Sequence, residues 1–214
     1  MDGTLVDSEP YWIAAETELI ESYGGTWTHE DALQLVGNGL LESARIIRAR
    51  GVDMEPQAIV DRLTADVVRR METSGVPFRP GARELLFGLR EAGIPTALVT
   101  MSLRRMAKTV VDLIDFPAFD VIVAGDDARL PKPDPAPYLQ ACEQLGVDPR
   151  DCVAIEDSNT GLRAAVAAGT VAIGAVNLVA IEELGAAAVW QGLNGRSVDD
   201  IVELYARTRA GEAR

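Results

Sequence analysis

Cysteine, histidine and lysine are all scarce in this chain: among 214 residues there are two cysteines, one histidine and, read directly from the sequence, two lysines. Cys142 and Cys152 show neither CxxC spacing nor a cluster of histidines beside them. That pattern predicts two buried or half-buried free thiols in a reducing compartment, with no disulfide framework. No apolar stretch reaches membrane-spanning length, and no basic-then-apolar segment opens the chain. The expectation is therefore a cytoplasmic protein with no membrane partner. Dense runs of Lys or Arg are missing too, and the formal net charge is -13. Nucleic-acid binding draws on clustered basic residues, so a nucleic acid is excluded as a partner and the charge reads as solubility.

What remains is an ordinary globular composition, with 48% hydrophobic and 25% charged residues. A chain of this length buries roughly 70% of its unfolded surface, enough for one large core or a core with a smaller inserted domain. From Pro10 to about Val76 the grammar is helical. "PYWIAAETELIESYGG" stops at Gly24-Gly25, and "THEDALQLVG" opens on Thr28 as an N-cap with an acid three residues on. "LLESARIIRARG" ends in basic residues and a glycine. "EPQAIVDRLTADVVRRMETSG" carries Pro56 near its first helical position.

After "VPFRPG" short apolar runs alternate with amphipathic helices. "IPTALVT" precedes a helix over 103–114, "DVIVAG" one over about 134–145, and "CVAIED" one over 158–168. "TVAIGA" precedes one over about 179–186, and a last helix spans about 197–209. Buried strands that alternate with helices predict a doubly wound, parallel-sheet Rossmann-like α/β core. The fold class is thus α/β with an inserted all-helical domain: 1–9 and 77–214 form the core, and 10–76 the insertion. Ligands of such sheets bind beyond the carboxyl ends of the strands.

Those strand ends carry the chemistry. Asp2 lies at the start of "MDGTLVDSEP". "ALVTMS" ends in Thr100, Met101 and Ser102, and "CVAIEDSNTG" ends in Glu156 and Asp157. Between them Lys132 sits in "LPKPDP", a lysine in a chain that otherwise uses arginine almost everywhere, which points to a compact ammonium. Carboxylates at strand ends are hard oxygen ligands suited to Mg²⁺. Thr100 and the amides after it can donate to phosphoryl oxygens, and Lys132 can neutralise phosphate. The set handles phosphate, but it contains no nucleophile. Asp126-Asp127 reads as a solvated turn, Asp134 as a helix cap, and His29 as a residue no step requires.

In order and placement, these residues resemble the four motifs of the haloacid dehalogenase superfamily of phosphatases and phosphomutases, over essentially the whole chain. "MDGTLVDSEP" is similar to the Asp-x-Asp-Gly-Thr motif without its first Asp. Thr100 matches the second motif, Lys132 the third and "EDSNTG" the fourth. The helical stretch is similar to the small cap of the β-phosphoglucomutase-like branch. The resemblance implies an aspartyl-phosphate formed on the family's first Asp, with Asp2 as acid and base. It implies phosphate contacts at Thr100, Met101 and Lys132, and Mg²⁺ held at Asp2 (through its carbonyl), Asp157 and Glu156. Ser158 and Asn159 would orient those carboxylates.

In the family spacing the nucleophile and its central strand would stand immediately before Met1. The expectation is that the natural protein starts upstream, with Met1 an internal methionine or a boundary. A short form with little or no hydrolase activity is the alternative. Glu9, Trp12, Asn38 and Leu41 are the residues expected to face substrate from the cap. Mutases of this branch carry a His where Trp12 stands, and basic residues where Val36 and Leu40 stand. The expectation is therefore a monomeric, Mg²⁺-dependent phosphohydrolase of a small phosphorylated metabolite. A sugar phosphomutase and a non-catalytic phosphometabolite-binding protein are its rivals.

Overall fold

The computed structural model describes residues 1–35, 38–178 and 180–212. Four helices come first: α1 (Glu9–Ser22), α2 (His29–Leu33), α3 (Leu40–Ala49) and α4 (Pro56–Ser74). Their ends follow local rules. Thr28 caps α2 in a full capping box with Asp31, and Pro56 occupies the first turn of α4. Gly75 ends α4 with φ at 91°, a conformation that costs glycine little. Ile59, Leu63, Val67 and Met71 recur every four residues along α4 and are all buried. They face Ala15, Leu19 and Ile20 of α1 and Ala44 and Ile47 of α3, in one continuous core. Full burial of each large apolar side chain contributes roughly 1.5–3 kcal/mol before entropy is counted.

The remainder alternates helix and strand: α5 (Ala82–Glu91), β1 (Ala97–Val99), α6 (Arg104–Asp112), β2 (Val121–Val123), α7 (Ala136–Leu145), β3 (Val153–Glu156), α8 (Asn159–Ala167), β4 (Val171–Ala175), β5 (Ala188–Trp190) and α9 (Val198–Glu212). Every strand pairing is parallel. β4, buried along its whole length, lies between β3 and β5, as a two-sided strand should. The alternating pattern expected after residue 77 is present, with two corrections. The expected helix over about 179–186 is not helical at the described positions; Val179 itself lies outside them. The turn through Leu184 and Gly185, both at positive φ, delivers instead β5, which pairs with β4. Also unforeseen is α5, whose apolar Leu85 and Leu86 face the core.

Among the described residues, the strands fall into two parallel sheets. β1 pairs with β2, and β3-β4-β5 form the other, with no ladder between β1 and β3. A cavity of about 490 Å³ separates them. Its wall includes Leu98 and Val99 of β1, Ala154 and Ile155 of β3, and Leu85 and Leu86 of α5. The facing edges of β1 and β3 thus keep unpaired main-chain groups beside an apolar slot. Cys142 and Cys152 also line it; both are free thiols, the first buried and the second half-buried. No helix among the described residues is long and apolar enough to cross a membrane.

Candidate active site

A second cavity, of about 700 Å³, opens between the helical layer and the carboxyl ends of β1 and β3. Asp2, Thr100, Met101, Lys132, Glu156 and Asp157 line it together, as do Glu9, Trp12, Asn38 and Leu41. The tertiary structure therefore gathers these ten residues into one cleft. Leu40 lines it as well; Val36 lies outside the described residues. Met1 borders both the slot and the cleft, and is buried where the two meet.

Asp2 is held from two sides. Ser8 Oγ donates to Oδ1, and Ser102 Oγ donates to Oδ2 at 2.6 Å. Gly3 follows at φ 70°, where a Cβ would run into Asp157 Oδ2, so this turn and that carboxylate pack in direct contact. Thr4 Oγ1 donates to Asp157 Oδ1 at 2.8 Å. Arg79 ties the turn down from below by donating to the carbonyls of Gly3 and Val176. Thr100 Oγ1 accepts from Ser102 N at 3.1 Å, which leaves the Thr100 hydroxyl proton available to the cleft.

Lys132 and Glu156 form a buried pair, with side chains 8% and 7% exposed. Lys132 Nζ donates to Glu156 Oε1 and, at 3.1 Å, to the Val99 carbonyl, so one ammonium spans the ends of β1 and β3. Tyr138 OH donates to the same Glu156 oxygen. Burial alone would raise the Glu156 pKa; the Lys132 ammonium and these hydrogen bonds outweigh it, and the carboxyl lies below its ordinary value. Asp157 goes the other way. Its burial and the Glu156 charge raise it, against a smaller opposing effect from the Thr4 hydrogen bond. Glu9 is pushed up to about 7 by burial and by the charges of Asp2, Asp7 and Asp157. The cleft thus has surplus negative charge, a setting in which a cation or a shared proton is stabilised.

Gly161, in the first turn of α8, explains how Glu156 is accommodated. A Cβ there would overlap the Glu156 carboxylate. Gly161→Ala is expected to destabilise the fold by roughly 1–3 kcal/mol through overpacking, read as a lower urea midpoint. An unchanged midpoint would show that the helix start can shift freely.

The expected roles of Ser158 and Asn159 changed, whereas Asp126-Asp127 and Asp134 stand in a turn and at a helix start as expected. Ser158 and Asn159 do not hydrogen-bond to the acidic pair: Ser158 Oγ accepts from Gly161 N as the cap of α8, and Asn159 holds the loop at Ala180 and Glu182. Asp126 and Asp127 form a turn that binds the start of α6, through Arg104 N and the Arg104 guanidinium. Asp134 accepts from Ala136 N at the start of α7. His29 is exposed at the first position of α2. Among the described residues, no group of three or more His, Cys, Asp or Glu side chains converges to hold a metal ion. Glu156 is turned towards Lys132, and Asp2 towards two serines.

Sequence reasoning missed Ser8, Arg79, Tyr138 and Glu16. Only Glu16 left a signal. With Glu9 and Trp12 it falls at i, i+3 and i+7 of α1, an acid on the inward face of a helix. Arg79 and Tyr138 act across longer sequence separations, and Ser8, six residues from Asp2, carries no pattern that marks its contact.

Carboxylates, a lysine and hydroxyls thus gather at the strand ends of a parallel α/β fold, beneath a helical layer. Residues 1–169 match the family model of haloacid dehalogenase-like hydrolases, and the chain belongs to that family. It is 33% identical over 172 residues to hexitol phosphatase B of Escherichia coli strain K12, covering 78% of this chain and 77% of the relative. It is 31% identical over 178 residues to a phosphoglycolate phosphatase of Nitrosospira multiformis, covering 79% and 78%. In three dimensions it resembles CbbY from Rhodobacter sphaeroides, solved in complex with phosphate: TM-score 0.81, 30% identity, 91% of this chain and 92% of that one.

Proposed function

We propose that this protein is a Mg²⁺-dependent phosphohydrolase of small phosphate monoesters, working through an aspartyl-phosphate, and that its helical layer is a cap over the phosphate site. The observation that carries this reading is the convergence of Asp2, Thr100, Lys132 and Asp157 on one cleft at the strand ends. Names of relatives that act on phosphorylated compounds support it.

The donor set suits Mg²⁺. Asp157 offers a half-buried carboxylate whose charge is only partly compensated, and Asp2 offers a main-chain carbonyl. Glu156 contributes chiefly by fixing Lys132. When bound, the metal supplies charge neutralisation at the phosphoryl oxygens. The chain's own residues do the rest. Lys132 and the Thr100 hydroxyl bind phosphoryl oxygens, and the backbone through Met101 and Ser102 shapes their cradle. Asp2, oriented by Ser8 and Ser102, gives a proton to the departing alcohol oxygen and later takes one from water.

The slot between β1 and β3 supports a strand joined to Met1 as the source of the nucleophile. Its walls are apolar, both flanking edges are unpaired, and Met1 lies where it meets the cleft. A parallel strand there would complete a single sheet. A residue two positions before Asp2 would project to the same side as Asp2, since side chains repeat every two residues on extended chain. A second phosphate, as a mutase requires, finds little support: Lys132 is the only basic residue among the described ones that line the cleft.

The test is the chain extended at its amino end by an apolar strand ending in Asp. Expected are Mg²⁺-dependent release of phosphate from a panel of monoesters, and a rise in melting temperature over the chain starting at Met1. No phosphate release by the folded, extended chain would overturn the proposal.

A further inference from the structure

The cleft has an upper wall that the chemistry above does not use. α1 turns Glu9, Trp12 and Glu16 into it, and Ser43 and Gln57 join from α3 and α4. Glu16 is only 6% exposed. Trp27 Nε1 donates to its Oε2 at 3.2 Å, which fixes the carboxyl group in the cap core. Oε1 accepts no hydrogen bond among the described residues, and Glu16 borders the cleft. Burial and the nearby Glu9 push its pKa up to about 7, against the Trp27 hydrogen bond, so near neutral pH this group both accepts and donates. Buried polar groups that border a cavity and lack a partner select ligands that provide one.

We infer that Glu16 is a specificity-determining residue, its free oxygen hydrogen-bonding a hydroxyl of an uncharged, polyhydroxylated leaving group such as an alditol or sugar monophosphate. This rests on the phosphohydrolase reading and deepens it. The same wall disfavours anionic leaving groups. Asp7, Glu9 and Glu16 face the cleft, and no basic residue among the described lining ones other than Lys132 offsets them. A carboxylate-bearing leaving group such as glycolate, or a second phosphate, would be held beside like charges in a low-dielectric site. A hydroxylated chain instead finds Glu16, Ser43 and Gln57 along an otherwise apolar wall of Trp12, Val60 and Leu63.

The experiment compares kcat/KM in the extended, active chain for a hexitol 6-phosphate, phosphoglycolate and 4-nitrophenyl phosphate, in wild type, Glu16→Gln and Glu16→Leu. Wild type is expected to prefer the hexitol phosphate to phosphoglycolate. Glu16→Leu should lose roughly 10- to 100-fold on the hexitol phosphate, mainly in KM, and less than about threefold on 4-nitrophenyl phosphate, which offers no hydroxyl. Glu16→Gln, which keeps an acceptor and a donor, should retain most of the activity. Equal losses on both substrates would reduce Glu16 to a structural role and overturn the inference, as would a wild-type preference for phosphoglycolate. Calorimetric binding of the hexitol phosphate needs no turnover. Absent turnover with binding that Glu16→Leu weakens would sink the phosphohydrolase reading alone; absent turnover with binding that is missing or unaffected would sink both.

Discussion

Replacement of Lys132 by alanine is expected to cost about 3–5 kcal/mol of folding stability, besides its loss at the phosphate site. The reason lies in what the substitution leaves behind. Glu156 is 6% exposed, and its compensation comes mainly from the Lys132 ammonium, with a hydrogen bond from Tyr138. Remove the ammonium and the buried carboxylate keeps a phenol as its hydrogen-bond partner. Truncating one partner of a buried pair is far costlier than replacing both, so Lys132→Met with Glu156→Gln should recover most of the loss. Urea unfolding of the two single variants and the double variant measures the coupling.

The pH dependence gives an independent reading. In wild type the Glu156 pKa lies below its unfolded value, so its contribution is present above the ordinary carboxylate range and is lost as pH falls through the folded value. In Lys132→Ala, burial acts with less opposition and raises the carboxyl above its unfolded value. The sign then reverses, and the variant should gain stability as pH is lowered from neutrality towards the carboxylate range. A variant whose stability at neutral pH equals that of wild type would show that Glu156 finds another partner.

Asp2→Asn is expected to lower kcat by about 10²- to 10⁴-fold in the extended, active chain, the usual contribution of a positioned acid and base. Its melting temperature should change little. Asn keeps the shape of Asp: its Oδ1 can still accept from one of the two serines that hold the Asp2 carboxylate, and its Nδ2 can donate to the hydroxyl oxygen of the other. Because the alcohol must be protonated as it leaves, the deficit should shrink for esters whose leaving group is already a good one, such as 4-nitrophenyl phosphate. A uniform deficit across leaving groups would place Asp2 in binding or folding and not in proton transfer. Ser102→Ala should show a milder form of the same pattern, since it loosens one side of the clamp.

The role of glutamate differs with position in this cleft, and tertiary context decides it. Glu156 stays ionised because a lysine and a tyrosine meet it. Glu9 and Glu16 are pushed up to about 7 by burial and by like charges nearby. Residue type was legible in the sequence; protonation was not.

The order of strands and helices after residue 96 was readable down to "TVAIGA", because buried parallel strands are short apolar runs and the helices between them are amphipathic. The reading failed at 179–186, where an apolar, alanine-rich stretch fits a helix equally well by composition. There the positive φ at Leu184 and Gly185 and the open edge of β4 determine the outcome. The motif residues Asp2, Thr100, Lys132 and Glu156-Asp157 stood out because each closes a strand or sits in a marked loop.

By itself, then, the sequence determined the α/β class, the helical segment before it and the set of polar residues that gathers at the strand ends, since periodicity and strand-end placement are local properties. Only the tertiary structure decided which groups touch: that Glu156 serves Lys132, that Ser8 and Ser102 hold Asp2, that Glu16 reaches the cleft, and that β1 and β3 stand apart across an apolar slot. Those facts depend on contacts between residues far apart in the chain, set by packing and desolvation, and no local pattern encodes them.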